Sequence, residues 1–160
     1  MPVYANAKSV KQAVVDNIIT TLLTITQANG YFNDVAAALP FKVAGWELMD
    51  MPTLLVIGLR EQKDELTAGP ENRTNVTLTG TIQIHATMDP ASDTEEYHNS
   101  LICDVETALR QDVTRGGVAR YTEVEATDLT LEAQASPSAV SIITFRVNYQ
   151  HSSDDPTKPW

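Results

Sequence analysis

The chain has 160 residues, of which 42% are hydrophobic and 20% charged, and these values fit one soluble globular domain with a buried core. Its 21 acidic side chains outnumber 11 basic ones, and the net charge of −10 argues against tight or sequence-specific nucleic-acid binding. No apolar run approaches the ~20 residues of a membrane-spanning helix. The N-terminus lacks a secretory signal pattern, and the single cysteine, Cys103, cannot form an internal disulfide, so we expect folding in a reducing cytoplasm.

The first predicted element is an amphipathic helix over about residues 7–27. Its apolar residues recur at spacings of three and four, which is typical of a helix that packs along one stripe. The stripe comprises Val10, Val14, Ile18, Leu22 and Ile25. Asn29 and Gly30 predict the end of the helical segment, since both residue types tolerate positive φ.

Short strands, a buried strand and a loop are predicted next. YFNDVAAALP and KVAGWELM, within residues 31–52, each allow a short strand, and the prolines there exclude a longer element. TLLVIGL (53–59) is an apolar run typical of a strand that is buried on both faces. REQKDELTAGPENR (60–73) is charged and lacks apolar periodicity, which predicts a long hairpin loop.

A long alternating strand follows in TNVTLTGTIQIHATM (74–88). From Val76 to Met88 the even positions are apolar or glycine, and the odd positions are polar. This alternation predicts a half-buried strand of about three times the common length. Its polar side, which we call the threonine face, suits contact with another subunit and equally suits solvent, so the pattern alone leaves both interpretations open.

A second helix is predicted from a cap at Ser92 or Asp93 to about Gln111. Glu95 and Glu96 lie three residues beyond the two candidate caps, as in a capping box. One face of this helix is apolar and consists of Tyr97, Leu101, Val105, Ala108 and Leu109.

Two further strands are predicted over residues 121–133 and 140–149. Each contains a slip in its alternation, at 127–128 and at 142–143, which is the sequence sign of a β-bulge. Residues 151–160 lack periodicity and predict an extended C-terminal tail after one domain formed by residues 1–150. The order of elements predicts an α+β fold, in which two helices pack on one face of a mainly antiparallel sheet built from long β-hairpins.

The chemically reactive side chains form no recognisable site. His85, His98 and His151 have no second ligand at metal spacing, so we predict solvated histidines and no metal. Cys103 has no catalytic context, and nucleotide-binding and nucleophile motifs are lacking. We therefore predict no catalytic residue, no cofactor and no enzymatic activity.

Several motifs in succession resemble one protein family. TLLVIGLREQ and NVTLTGTIQIHATM follow the first helix, and LICDVETALRQDVTRGGVA (101–119) combines a helix ending in Ala-Leu with an Asp and a glycine turn. FRVNYQHSSDDP closes the series with a strand that ends in Tyr and a polar tail. This pattern, over residues 9–156 except 31–52, resembles the tail terminator (tail completion or minor tail) proteins of long-tailed bacteriophages.

The resemblance implies a non-enzymatic α+β subunit that forms a homohexameric ring at the head-proximal end of a tail tube. Such a ring would stop tube polymerisation, bind the tail tube protein on one side and bind the head-side connector or head completion protein on the other. Phage DNA would pass through its channel without specific binding, and no membrane is involved. The protein would be located in the virion, at the tail neck, after assembly in the host cytoplasm.

The resemblance also suggests three interface regions. The loop at 60–73 would reach an adjoining ring or subunit, and the threonine face would line subunit contacts or the channel. The tail would be an arm ordered by a partner, with an aromatic anchor at its end. The candidate interface residues are Arg60, Glu61, Lys63, Asp64, Glu65, Arg73, Thr77, Thr79, Thr81, Gln83, His85 and Trp160.

Two alternatives stay open. The first is another ring subunit of the same kind of assembly, from a tail tube or a head-closure ring. The second is a small α+β ligand-binding module or enzyme that uses the concave sheet face, with His85, Glu123 or Glu125 in a pocket.

Overall fold

The computed structural model describes residues 8–40, 50–66, 72–87, 93–132 and 138–160. Two α-helices, five strands and a short 3-10 turn lie in these ranges. They are α1 (Val10–Leu22), the 3-10 turn (Gln27–Asn29), β1 (Ala37–Leu39), β2 (Thr53–Leu66), β3 (Arg73–Thr87), α2 (Thr94–Gln111), β4 (Tyr121–Glu132) and β5 (Ser138–Ser152). The predicted α+β class is confirmed.

The strands form one sheet in the order β1-β2-β3-β5-β4. β1 is parallel to β2, whereas the other three neighbouring pairs are antiparallel. β3 lies at the centre and pairs with β5 along its whole length, from Arg73 opposite Ser152 to Thr87 opposite Ser138. Because residues opposite each other on paired strands share a face, the alternation of β3 divides the whole sheet into two sides.

The predicted alternation of β3 is confirmed. Its even positions are buried in the hydrophobic core with the apolar stripes of both helices, whereas its odd positions are half-buried on the opposite side. Gly80 lies on the core side, where a Cβ atom would be 2.7 Å from the side chains of Leu59 and Phe145. The core side therefore packs so closely around β3 that one position requires glycine.

Both helices begin at side-chain caps. Ser9 accepts a hydrogen bond from the backbone N–H of Gln12, and Asp93 accepts from the first-turn N–H groups of α2. α2 ends at Gln111 as predicted, but α1 is shorter than the predicted 7–27 because the chain leaves the helix after Leu22 and forms the 3-10 turn. In the described residues, no helix combines the length and the apolar character that crossing a membrane requires.

The charged segment at 60–73 is not the predicted long loop. β2 continues to Leu66 and β3 begins at Arg73, so only residues 67–72 connect them. The β-ladder to β3 holds these polar residues in a strand although they lack apolar alternation, because tertiary pairing overrides a weak local pattern.

The β-bulges also differ from the predictions. The bulge in β4 lies between Val124 and Ala126, before the predicted position, and β2 contains an unpredicted bulge between Ile57 and Arg60. The bulge predicted in β5 is wrong, since β5 pairs with β3 without interruption. Val140 and Ile142 are instead apolar residues on the half-buried side of a regular strand.

The C-terminal segment folds back on the domain, which differs from the expected extended arm. β5 continues to Ser152, and His151 then forms a β-bridge with Pro159. The Trp160 N–H donates to the Gln150 carbonyl, and the Pro156 carbonyl accepts from the Val10 N–H at the start of α1. These backbone hydrogen bonds fasten the last residues to β5 and to α1 within one protomer.

Some predictions can be placed only in part. The first predicted short strand is confirmed as β1, but the second, within residues 42–49, lies outside the described residues. Most of the predicted turns at 89–93 and 134–138 also lie outside them.

Candidate functional site

The threonine face is the side of the sheet opposite the two helices. β3 supplies a row of half-buried polar residues that consists of Arg73, Asn75, Thr77, Thr79, Thr81, Gln83 and His85. Strand register places neighbours beside this row, namely Arg60, Gln62 and Asp64 of β2, Thr144, Arg146 and Asn148 of β5, and Tyr121, Glu123 and Asp128 of β4. The row of Thr77, Thr79 and Thr81 is itself uncharged, but Arg60 of β2 and Arg146 of β5 lie directly opposite Thr79 on its two sides.

Hydrogen bonds order the threonine row. The Thr77 hydroxyl donates to Asn148 Oδ1 at 3.1 Å, and the Thr81 hydroxyl donates to the Ile57 carbonyl at 3.2 Å. His85 Nε2 lies 3.3 Å from Gln83 Oε1. These bonds cross-link β3 to both neighbouring strands, so the face presents a fixed surface.

Arg146 of β5 binds two carboxylates of the neighbouring strand β4, and we call this edge of the face the β4 rim. Its Nε donates to Glu123 Oε1 at 2.6 Å, and its Nη1 lies 3.3 Å from Glu125 Oε1. The hydrogen bond with Glu123, and then the charges of both carboxylates, raise the pKa of Arg146. Two carboxylates against one guanidinium leave this rim negative.

The bulge in β2 forms a recess on the threonine face. Gly58 has a φ of +67°, a left-handed conformation that favours glycine. The recess has a volume of about 280 Å³ and is lined by Gly58, Arg60, Gln62, Thr77 and Thr79. The structure thus brings predicted interface residues from two strands around one depression.

The same bulge places Glu61 and Lys63 on the helix side. Before the bulge, the even-numbered residues Leu54 and Val56 face the core. The bulge places two residues of β2 opposite one residue of β3, and this one extra residue turns the odd-numbered residues toward the core after it. Glu61 accepts a hydrogen bond from the hydroxyl of buried Tyr149. Burial raises the pKa of Glu61, but this bond and two nearby lysines outweigh it and lower the pKa below its usual value.

The predicted interface residues therefore do not form one surface. Arg60, Asp64 and the β3 row share the threonine face, whereas Glu61 and Lys63 lie on the opposite side. Glu65 pairs with Thr74 in the ladder, and its side chain lies outside the described part of the chain. Trp160 is 53% exposed, but its backbone is bonded to β5.

The three residues proposed for a ligand-binding alternative do not converge. His85 lies opposite Val140 and Glu123 lies opposite Arg146, which are six residues apart on β5 and so ~20 Å from each other. Glu123 and Glu125 both bind Arg146.

The prediction of solvated histidines is wrong for two of the three. His98 is fully buried, with its Nδ1 2.6 Å from the Ser141 hydroxyl, and burial lowers its pKa. His151 is 6% exposed. Sequence reasoning missed His98 because it lies beside the apolar stripe of α2 and contacts β5, which is distant in the chain.

Another missed group is Asp104, a buried carboxylate of α2. It accepts hydrogen bonds from the Phe32 N–H at 3.0 Å, the Asn33 N–H at 2.9 Å and the Asn33 side-chain amide at 2.8 Å. These bonds hold the connection between α1 and β1 against the helix layer. A single Asp within an amphipathic helix gave no sign of this role.

Two signals in the sequence could have located parts of the site. Gly58 interrupts an otherwise apolar strand, which is typical of a bulge. Arg146 is the one charged residue in the run from Ser138 to Ser152, so a carboxylate partner on a neighbouring strand could be expected.

Two comparisons with known proteins were negative. No protein-family model matches the chain, and no curated protein sequence matches it significantly.

Within the residues that the structure describes, no three His, Cys, Asp or Glu residues are grouped so that they could hold a metal ion.

Proposed function

We propose that this chain is a ring-forming structural subunit of a phage neck, a tail terminator that ends tail-tube polymerisation and joins the tail to the head connector. The observation that carries the proposal is the threonine face, whose central row of Thr77, Thr79 and Thr81 is half-exposed and uncharged. A neutral row lets identical copies approach although each has a net charge of −10. The sequence resemblance over residues 9–156, except 31–52, supports the same role.

The charges at the rims favour contacts between unlike surfaces. The β4 rim carries Glu123, Glu125 and Asp128, offset only by Arg146, whereas the β2 rim carries one charge of each sign, Arg60 and Asp64. Two β4 rims would repel each other, but a β4 rim can approach the β2 rim of the next copy. Such head-to-tail contacts can close into a ring, and we propose a homohexamer.

In this proposal the ring has two unlike sides. One binds the tail tube protein, and the other binds the head-side connector or head completion protein without accepting another tube ring. Phage DNA passes through the channel, where the acidic character of the subunit opposes specific binding. The protein acts by shape, with no enzymatic step, and is located at the tail neck of the virion.

Negative-stain imaging tests this function. The purified protein is imaged alone and after mixing with tail tubes that lack their head-proximal ring. We expect closed rings that cap one end of the tubes and stop their growth. Filaments of the protein alone would identify a tube subunit instead, and tubes that stay uncapped and continue to grow would contradict the terminator role.

A further inference from the structure

A second polar site lies on the helix side of the sheet, where α1 begins, β2 passes its bulge and the C-terminal segment folds back. It is a cavity of about 100 Å³ lined by Ser9, Lys11, Glu61, Lys63, Tyr149, His151 and Pro156. The function proposed above does not use this cavity. Since a water molecule occupies ~30 Å³ in the liquid, the space fits a group the size of a carboxylate with a short carbon stem.

In this cavity's wall, His151 has one ring nitrogen, Nε2, that lacks a hydrogen-bond partner. It is 6% exposed, and its Nε2 is buried with no hydrogen-bond partner in the described part of the chain. Its Nδ1 lies 2.6 Å from the Ser152 carbonyl, which can only accept, so Nδ1 carries the proton of the neutral ring. Nε2 then gains a proton only when the imidazole becomes cationic.

The other lining groups make the cavity positive. Lys11 Nζ and Lys63 Nζ lie 3.6 Å and 4.0 Å from Glu61 Oε2, so one carboxylate balances one of two ammonium groups. Glu61 Oε1 is already occupied by the Tyr149 hydroxyl. The N-terminus of α1 adds its partial positive charge beside Ser9. One uncompensated lysine and a helix N-terminus therefore lie at this cavity, and His151, whose Nε2 is buried without a partner, forms part of its wall.

We infer that this cavity is a carboxylate-binding site, in which Lys11 and Lys63 hold the anion and the protonated Nε2 of His151 donates to it. The carboxylate belongs either to a small free acid or to an acidic side chain of a second copy of the chain. Glu61 is a positioning residue, because it draws both lysines toward the cavity. The inference rests on this geometry and does not depend on the ring proposal.

Binding takes up a proton, which makes it pH-dependent. Among the described side chains, the charged and titratable groups that line the cavity with His151 are Lys11 of α1, Glu61 and Lys63 of β2, and Tyr149 of β5. β3 presents the uncharged Thr74 opposite His151, and the C-terminal segment that pairs with it carries Asp155 and Lys158, which pair with each other. Burial and the bond to Glu61 raise the pKa of Tyr149, and that bond and the two lysines lower the pKa of Glu61, so neither group changes its charge near neutral pH. Because donation from Nε2 requires the cationic ring, binding strengthens as the pH falls.

The chain contains three histidines, so NMR of the imidazole C–H groups tests the site directly. Acetate is titrated into the intact protein at constant ionic strength. We expect the His151 signal to move in a saturable way, while His98 in the core and His85 on the threonine face serve as internal references. Lys11→Gln should weaken acetate binding by about five- to tenfold, the value of one charge-assisted contact.

Lys8→Gln is the matched control, because Lys8 lies one turn earlier and pairs with Asp16 at 2.6 Å instead of lining the cavity. This variant should bind acetate as the wild type does. A His151 signal that also moves with protein concentration in the absence of acetate assigns the carboxylate to a second copy, and one that moves only with acetate assigns it to a small acid. A His151 signal that neither acetate nor protein concentration moves, or an acetate response that Lys11→Gln leaves unchanged, would overturn the site.

Discussion

The two faces of β3 share one backbone but differ in what they contact. The core side of the strand is fully buried against both helices, and at Gly80 it leaves no room for a Cβ atom. The threonine face is half-exposed, carries an uncharged threonine row along β3 and is ordered by hydrogen bonds to β2 and β5. The core side therefore holds the apolar packing of the strand, whereas the threonine face leaves a polar row accessible.

Truncating one side chain on each face of β5 tests this division of the sheet, and its expected effect is the largest. Phe145 is fully buried, and its neighbour Thr144 is half-exposed on the threonine face. We expect Phe145→Ala to lower the free energy of unfolding by about 3–5 kcal/mol, because it leaves a cavity in the core. Thr144→Ala should cost less than ~1 kcal/mol. Urea denaturation measures both, and equal losses would remove the distinction between the faces.

A smaller loss of unfolding free energy is expected from removing Asp104, which binds the connection between α1 and β1. Asp104→Ala removes the acceptor for two backbone N–H groups and one side-chain amide, and should cost about 2–3 kcal/mol in unfolding free energy. Asp104→Asn keeps one acceptor oxygen and should lose less. Chemical denaturation of both variants provides the measurement, and a neutral Asp104→Ala would show that these bonds do not stabilise the connection.

Buried His98 predicts that the free energy of unfolding depends on pH through a group on the helix side of the sheet. Burial lowers the pKa of His98 below the 6.5 of an unfolded histidine, so its neutral form is favoured in the folded state. Its contribution is complete above pH 6.5 and is lost as the pH falls toward the lowered value, with a slope of at most ~1.4 kcal/mol per pH unit. The midpoint of thermal unfolding, measured from pH 7.5 to pH 5, should fall as this contribution is lost.

His98→Gln should flatten that slope, whereas His85→Gln on the threonine face should leave it unchanged. Carboxylates whose pKa is lowered, such as Glu61 and Asp16, lose their contribution only at lower pH and do not interfere. If the slope survived in His98→Gln, the acid sensitivity would have another origin.

Local features of this fold could be predicted from the sequence. The alternation of β3 and the end of α2 depend on residues close in the chain, and the structure confirms both; of the two candidate caps, it shows Asp93. The polar part of β2 was missed, because it owes its strand conformation to pairing with β3. A pattern of apolar and polar residues therefore predicts a helix or strand well when contacts near in the chain determine it, and poorly when pairing with a distant strand does.

Long-range contacts explain why the site was only partly predicted. The threonine row follows from alternation, but the separation of Glu61 and Lys63 from Arg60 depends on a bulge that shifts the face of every later residue. The docking of the C-terminal segment depends on β5 and on the start of α1, which are far from each other in the sequence. The cavity beside His151 exists only because these three regions meet.

The central claim is that the threonine face is where copies of this chain meet, and sedimentation velocity of a matched pair of variants tests it most directly. One variant carries Thr79→Lys and Thr81→Lys, and the other carries Thr20→Lys and Thr107→Lys on exposed positions of α1 and α2, with the same change in charge. We predict that the wild type and the helix variant sediment as a ring, whereas the threonine-face variant stays folded and sediments as a monomer. A threonine-face variant that assembles as the wild type does would contradict the account.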